Sequence, residues 1–184
     1  KEAPRLYADE QGQSLVLAWA VASSAAQAEI KSDPALARQL AALQEKEGDY
    51  FLQALDARTG KLLGRLLIET GKGSFRITNA FVAGDRWIIT DSLNRVLIYG
   101  LTGGEQTGKV FGNRAAVSPS GKLLCVENER GQLALYDLAS MEKRDQFSFS
   151  SPVSFIRFGG DGKSLFVLTA NQTVYLLDMS SLLR

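Results

Sequence analysis

A repeat inside the chain constrains its fold more than any other feature. Moving Ser118–Ser140 (SPSGKLLCVENERGQLALYDLAS) forward by 41 residues lays it on Gly159–Ser181 (GGDGKSLFVLTANQTVYLLDMSS) without a gap. Gly121 then meets Gly162, Lys122 meets Lys163, Leu124 meets Leu165, Val126 meets Val167, Leu135 meets Leu176 and Asp137 meets Asp178. Moving the same unit back by 37 residues sets Gly121 on Gly84, Leu124 on Trp87, Val126 on Ile89, Tyr136 on Tyr99 and Leu138 on Leu101. Three consecutive units of this length indicate a repeat architecture.

Each unit reads as strands separated by turns. First strands are expected at Phe75–Val82, Arg114–Ser118 and Val153–Phe158. A turn carrying a glycine follows each: Ala83-Gly84-Asp85, Pro119-Ser120-Gly121 and Gly160-Asp161-Gly162. Glycine supplies the positive φ that tight hairpins need. Second strands follow at Arg86–Thr90, Lys122–Glu127 and Ser164–Thr169, third strands at Arg95–Tyr99, Gln132–Tyr136 and Thr173–Leu177, and fourth strands at Lys109–Phe111 and Arg144–Phe149. Short, regularly spaced strands rich in Val, Ile, Leu, Phe and Tyr predict an all-β antiparallel fold. Leu123-Leu124-Cys125-Val126 and Leu165-Phe166-Val167-Leu168 are apolar at consecutive positions, so those strands are covered on both faces. A β-propeller of four-stranded antiparallel blades gives that cover, and the period matches a blade.

The units resemble WD repeats. Val153–Lys163 (VSFIRFGGDGK) and Ala115–Lys122 (AAVSPSGK) resemble that family's first strand and the Ser-Pro-Asp-Gly turn after it, while Gly131–Asp137 (GQLALYD) and Thr173–Asp178 (TVYLLD) resemble its third strand ending in Trp-Asp. The resemblance covers Phe75 to Ser181 and extends more loosely toward the N-terminus. Tyr99, Tyr136 and Leu177 stand where the family has Trp, Gly100 replaces one Asp, and the Gly-His pair is absent. The family's buried Asp-His-Ser-Trp network therefore cannot form. The chain resembles a degenerate WD propeller or a relative among quinoprotein-like propellers, and the turn Asp56-Ala57-Arg58-Thr59-Gly60-Lys61 fits either.

A fourth, disguised unit precedes Phe75. Arg5–Ala8, Ser14–Ala20, Tyr50–Asp56 and Leu62–Ile68 are its strands, with Gln11–Gly12 as the first turn. Gly121 to Asp137 spans 16 residues and Gly12 to Asp56 spans 44, which leaves an insertion of about 28 between second and third strands. It reads as helical: Asp33 caps, Pro34 takes the first helical position and Gly48 terminates. Leu36, Leu40 and Leu43 share one face. They either cap the blade or form a partner-binding helix. The expected blades are 5–68 with the helical insertion 21–48, 75–111, 114–149 and 153–184. The last unit lacks a fourth strand, so a piece of a larger propeller of about six to eight blades is expected. A self-paired assembly of two halves and a small four-bladed ring are the alternatives, and open propeller edges invite self-association.

Composition removes most catalytic chemistry. There is no histidine, which excludes Ser-His-Asp and Cys-His catalysis and histidine metal sites. A single cysteine among the 184 residues excludes an internal disulfide. The formal net charge of +1 gives no reason to expect nucleic acid. No apolar stretch approaches the ~18 residues of a membrane span, and no leader pattern opens the chain. No cofactor or metal is expected. Gly103–Val110 (GGEQTGKV) nearly spells a phosphate-binding loop, but Val110 replaces the required Ser or Thr, and the segment joins two strands, so it reads as an interstrand loop. Gly71-Lys72-Gly73 reads as a connector, Cys125 as a buried structural thiol, Asn171-Gln172-Thr173 as a turn, and Glu127 with Glu129 as solvated charges.

What remains is surface. By resemblance, loops joining fourth to first and second to third strands share one face that serves for docking. That face carries Arg76, Ser92, Asn94, Arg114, Glu129, Arg130, Asn171 and Gln172. Its arginines are able to grip carboxylates bidentately. The expected function is a non-catalytic interaction module for a protein or peptide partner. The alternative is part of a propeller enzyme, a quinoprotein-like dehydrogenase or a hydrolase-associated propeller, with its active groups elsewhere.

Overall fold

A computed structural model describes residues 3–9, 12–42, 49–69 and 75–183. Four antiparallel sheets follow one another along the chain, each an up-and-down meander. The first holds β1 (Arg5–Ala8), β2 (Ser14–Ala20), β3 (Tyr50–Asp56) and β4 (Leu62–Ile68), and the second β5 (Ile77–Ala83), β6 (Arg86–Asp91), β7 (Arg95–Gly100) and β8 (Gln106–Phe111). The third holds β9 (Ala115–Val117), β10 (Leu123–Glu129), β11 (Gln132–Asp137) and β12 (Lys143–Ser148). Three strands form the fourth: β13 (Val153–Phe158), β14 (Ser164–Thr169) and β15 (Val174–Asp178). Outside the long β2–β3 connection, short links leave each strand no partner but its sequence neighbour, which enforces antiparallel pairing.

The repeat is one of register as well as residue type. Trp87 lies between Val82 and Tyr99, Leu124 between Val117 and Tyr136, and Leu165 between Phe158 and Leu177. Gly12, Gly84, Gly121 and Gly162 all adopt positive φ at the hairpin after the first strand, between +60° and +71°. Most strand ends lie within a residue or two of expectation, and two strands start more than one residue away. β8 begins at Gln106 rather than Lys109, since Gly108 and Val110 pair with Ile98 and Val96. Most of the expected loop 103–110 is therefore strand. β5 begins at Ile77 because Phe75 turns inward, its ring 6.0 Å from Tyr50 and 5.0 Å from the Arg95 guanidinium.

The sheets stack through apolar faces in chain order. Val16, Leu52 and Ala54 of the first sheet pack with Ala80, Trp87 and Ile89 of the second. Ile88, Val96 and Ile98 from the other face of the second sheet pack with Ala115, Leu124 and Val126 of the third. Cys125, Leu133 and Leu135 then pack with Ile156, Leu165 and Val167 of the fourth. This explains why β6 and β10 are apolar at successive positions; β14 was expected to be covered on both faces as well, but only Leu165 and Val167 meet another sheet and Phe166 is 43% exposed. Trp87 is fully buried and its Nε1–H donates to the Leu101 carbonyl at 3.4 Å. Side chains of this kind contribute about 1.5–3 kcal/mol each by leaving water.

The insertion forms two helices rather than one, α1 (Ser24–Ser32) and α2 (Pro34–Ala42). Ser23 caps α1, its hydroxyl accepting from the Ala26 N–H at 3.2 Å. Asp33 closes α1 through its own N–H on the Ile30 carbonyl and caps α2, its Oδ1 accepting from the Ala35 and Leu36 N–H groups at 2.9 and 3.3 Å. Ala26, Ile30 and Leu36, with Leu40 beside them, pack on Phe51, Leu67 and Trp19 of the first sheet. The short alanine side chains of α1 gave it little leucine signal. Arg65 on β4 ties both helices down, with Glu29 at 3.2 Å and Asp33 at 3.5 Å. Leu36 is 5% exposed and, with Leu40, packs on the sheet. Leu43, Gly48, Gln11 and the connector at 71–73 lie outside the described residues.

Candidate functional site

The connectors from fourth to first strands and the turns from second to third strands meet at one end of the stack. The Ser92 hydroxyl accepts from the Arg76 N–H at 3.0 Å, and the Arg76 carbonyl accepts from the Ser92 N–H at 2.9 Å. The Asn94 carbonyl accepts from Gly112 N–H at 2.7 Å, that of Gly131 from Phe149 N–H at 2.8 Å, and that of Pro152 from Ala170 N–H at 2.7 Å. Each turn is thus stitched to a neighbouring connector. Asn94, Gly131 and Gln172 occupy equivalent turn positions with φ of 57°, 79° and 64°. Asn94 and Gln172 therefore shape the backbone, a duty glycine performs with less strain. The Asn171 Oδ1 accepts from the Thr169 hydroxyl at 2.6 Å and so closes its own turn.

Eight residues were expected on this end: Arg76, Ser92, Asn94, Arg114, Glu129, Arg130, Asn171 and Gln172. All are there, and all are exposed. Arg114 does not act as a free fork for a carboxylate, however. Its Nη1 donates to Glu127 Oε2 at 2.7 Å and its Nε to the Ser154 carbonyl at 3.0 Å. Glu127 is a second correction, since it is 2% exposed and not a solvated charge. Its Oε1 accepts from the Val153 and Gly131 N–H groups at 3.1 and 3.4 Å. A carboxylate directly continuing the apolar run Leu123-Leu124-Cys125-Val126 was the available signal.

Asp91 is a structural residue that sequence reasoning missed. It is 4% exposed, takes the Arg95 Nε at 2.7 Å, and accepts from the Leu93 and Arg95 N–H groups at 2.9 and 3.0 Å. This turn chemistry, an Asp accepting from the residue two further on, lifts Leu93 to the surface at 54% exposure. An apolar side chain thus joins the polar ones.

The turns after the third strands carry a different repeated feature. Asp56 Oδ1 accepts from Thr59 N–H and hydroxyl, both at 2.7 Å, and Asp137 Oδ1 from Ser140 N–H at 2.9 Å. Asp178 Oδ1 accepts from the Ser180 N–H at 2.8 Å. These bonds hold all three carboxyls below the usual carboxylate range, the Thr59 hydroxyl leading for Asp56, the Ser140 N–H for Asp137 and the Ser180 side chain for Asp178. The aspartate that ends the third strand in three of the sheets is a turn former. Where Gly100 replaces it, the Glu105 carboxylate crowds the place a side chain would need.

The second, third and fourth sheets and the first hairpin of the first sheet contribute to one small cavity of about 90 Å³, lined by Asp9, Gln13, Phe81–Gly84, Ala115–Pro119, Arg157 and Phe158. Its charged members do not converge on a reacting atom. The Asp9 carboxylate accepts from Gln13 N–H at 2.9 Å and from the Ser14 hydroxyl at 2.7 Å. Among the described residues, no group of three or more His, Cys, Asp or Glu is placed to hold a metal. The segment 103–110 runs into β8 and opens no helix, so its backbone offers no phosphate cradle. Cys125 is fully buried, and burial pushes its thiol up. Among the described residues, no helix is long and apolar enough to cross a membrane. No family model matches the chain, and no curated protein matches it either.

Proposed function

We propose that the four sheets are consecutive blades of a WD-repeat-like β-propeller and that the chain is a non-catalytic interaction module. Its docking surface is the end that carries Arg76, Ser92, Leu93, Asn94, Glu129, Arg130, Asn171 and Gln172. Two features support the propeller: each sheet packs face to face on the next, and one cavity is lined by the first strands of the second, third and fourth sheets and by the first hairpin of the first. The reading as a module rests on the stitched loop end. Backbone hydrogen bonds between each second-to-third turn and the connectors flanking its sheet fix exposed basic, acidic, amide and apolar side chains on a rigid base. A partner that docks there orders little chain, so less entropy opposes binding. The mixed charge and the exposed Leu93 suit a protein or peptide carrying both polar and apolar groups.

Site-directed photocrosslinking in cells of the source tests this. A crosslinking residue at Arg130 or Gln172 is expected to capture a discrete protein partner, and the same residue at Ser120, in a first hairpin, is not. Equal capture from both places, or none from Arg130 and Gln172, defeats the reading.

A further inference from the structure

The turns after the third strands of the first three sheets share one backbone geometry, and one residue departs from what that geometry favours. Gly60, Gly104 and Met141 each donate their N–H to the carbonyl four residues earlier, on Asp56, Gly100 and Asp137, at 2.8, 3.0 and 2.8 Å. Register makes the three acceptors equivalent, since they pair with Ser14, Arg86 and Leu123 at the starts of the second strands. All three donors adopt positive φ, of 69°, 70° and 59°. Glycine does so freely, whereas the Cβ of a methionine crowds the next carbonyl. A side chain kept in this conformation points to a contact that compensates for the backbone.

That contact is with the second sheet. A Cβ added at Gly108 would lie 2.9 Å from both Cγ and Sδ of Met141, so the thioether rests directly on the glycine backbone of β8. The first two sheets meet in the same way. Gly64 stands on β4 where Gly108 stands on β8, opposite Ala54 and Ile98, and a Cβ there would lie 2.9 Å from the Leu101 side chain. In both cases a glycine on the fourth strand is the socket for an apolar side chain of the following sheet. Met141 also packs with Val110 at the apolar interface of the second and third sheets, and it is only half-buried. The other of the two methionines, Met179, is fully buried in the core of the third and fourth sheets.

We propose that Met141 is an oxidation site through which a peroxide loosens the second sheet from the third. The Sδ lone pair attacks one oxygen of hydrogen peroxide; the O–O bond breaks, an S–O bond forms, and proton transfer lets water leave. The sulfur is oxidised by two electrons and the peroxide is reduced by two. The sulfoxide is polar and bulkier than the thioether, at a place where Gly108 already leaves no room for a Cβ, so the side chain no longer seats. Met179 has the same chemistry without the access, which makes it an internal standard.

The test treats the folded chain with dilute hydrogen peroxide and follows each methionine peptide by mass spectrometry. Met141 is expected to gain one oxygen at least about tenfold faster than Met179, because reaction follows exposure. Oxidation at Met141 is expected to lower the melting temperature, read by circular dichroism, by about 2–4 °C. Amides of β8 then exchange faster with solvent, while those of β4 do not change. Met141→Leu keeps an apolar side chain at the socket and has no reactive sulfur, so peroxide leaves its melting temperature where it was. Any of these results overturns the proposal: equal rates at the two methionines, an unreactive Met141, an oxidised chain that melts with the untreated one, exchange that rises equally in β4 and β8, or a Met141→Leu variant that peroxide destabilises as much as the parent. None of them bears on the docking end, which lies at the other end of the strands.

Discussion

Glu127 is the joint between the third and fourth sheets, and its removal is the sharpest test of how the stack is held. Its side chain is 3% exposed and binds Arg114, Val153 and Gly131 at once. Glu127→Ala leaves the buried Val153 N–H without an acceptor, which costs about 1–3 kcal/mol. It also releases Arg114, but that side chain is 44% exposed and regains water, so the lost ion pair adds only about 1 kcal/mol. Glu127→Ala therefore lowers stability by about 2–4 kcal/mol. Glu127→Gln keeps an oxygen toward Val153 and Gly131 but turns its amide N–H2 toward the exposed Arg114 guanidinium, so it gives up the charge and the Arg114 hydrogen bond, a loss of about 1 kcal/mol. Urea unfolding followed by circular dichroism measures both, and native-state hydrogen exchange at Val153 reports the local loosening. A Glu127→Ala protein within about 0.5 kcal/mol of the parent refutes the account. So does a glutamine variant as weak as the alanine one.

Other expectations follow from single contacts. Ile30→Ala empties a fully buried site under α1 and should cost about 2–4 kcal/mol in the same unfolding assay; a neutral result means that the helices do not seal the first sheet. Gln172→Gly relieves a positive φ of 64° and should stabilise by about 0.5–1 kcal/mol; a loss of stability contradicts the turn assignment. Asp137 is held below its ordinary value of 3.8 by the Ser140 N–H, so its turn is stabilised above that pH and loses the contribution as pH falls through the lowered value. Carbon-detected NMR titration should show Asp137 titrating below an ordinary aspartate, and a normal midpoint rejects the bond. Cys125 should resist a thiol reagent in the native protein and react fully in urea, because burial pushes its thiol up; rapid native labelling argues against a closed interface between third and fourth sheets.

Much of the architecture was legible because its signals are local. Arg5–Ala8, Ser14–Ala20, Tyr50–Asp56 and Leu62–Ile68 emerge from sequence as they stand in the structure, since alternation and turn residues fix strand ends within a few residues. Asp33 and Pro34 likewise announce α2. The fate of side chains on the loop end was less legible. Arg114 and Arg76 look alike in sequence, yet only Arg114 meets a buried carboxylate, and that carboxylate sits 13 residues away in another strand. Leu93 became a surface residue through Asp91, whose burial depends on Arg95 and the sheet behind it.

The amino-acid order alone determined the repeat, the succession of strands and the glycine hairpins, because all of these act across a few residues. The tertiary structure decided which faces are covered: the helices on one side of the first sheet, three sheet-on-sheet contacts, and a bare Phe155–Leu176 surface at the far end. Cover depends on groups that arrive from distant parts of the chain, and apolar alternation reads the same whether or not a neighbour is there to meet it.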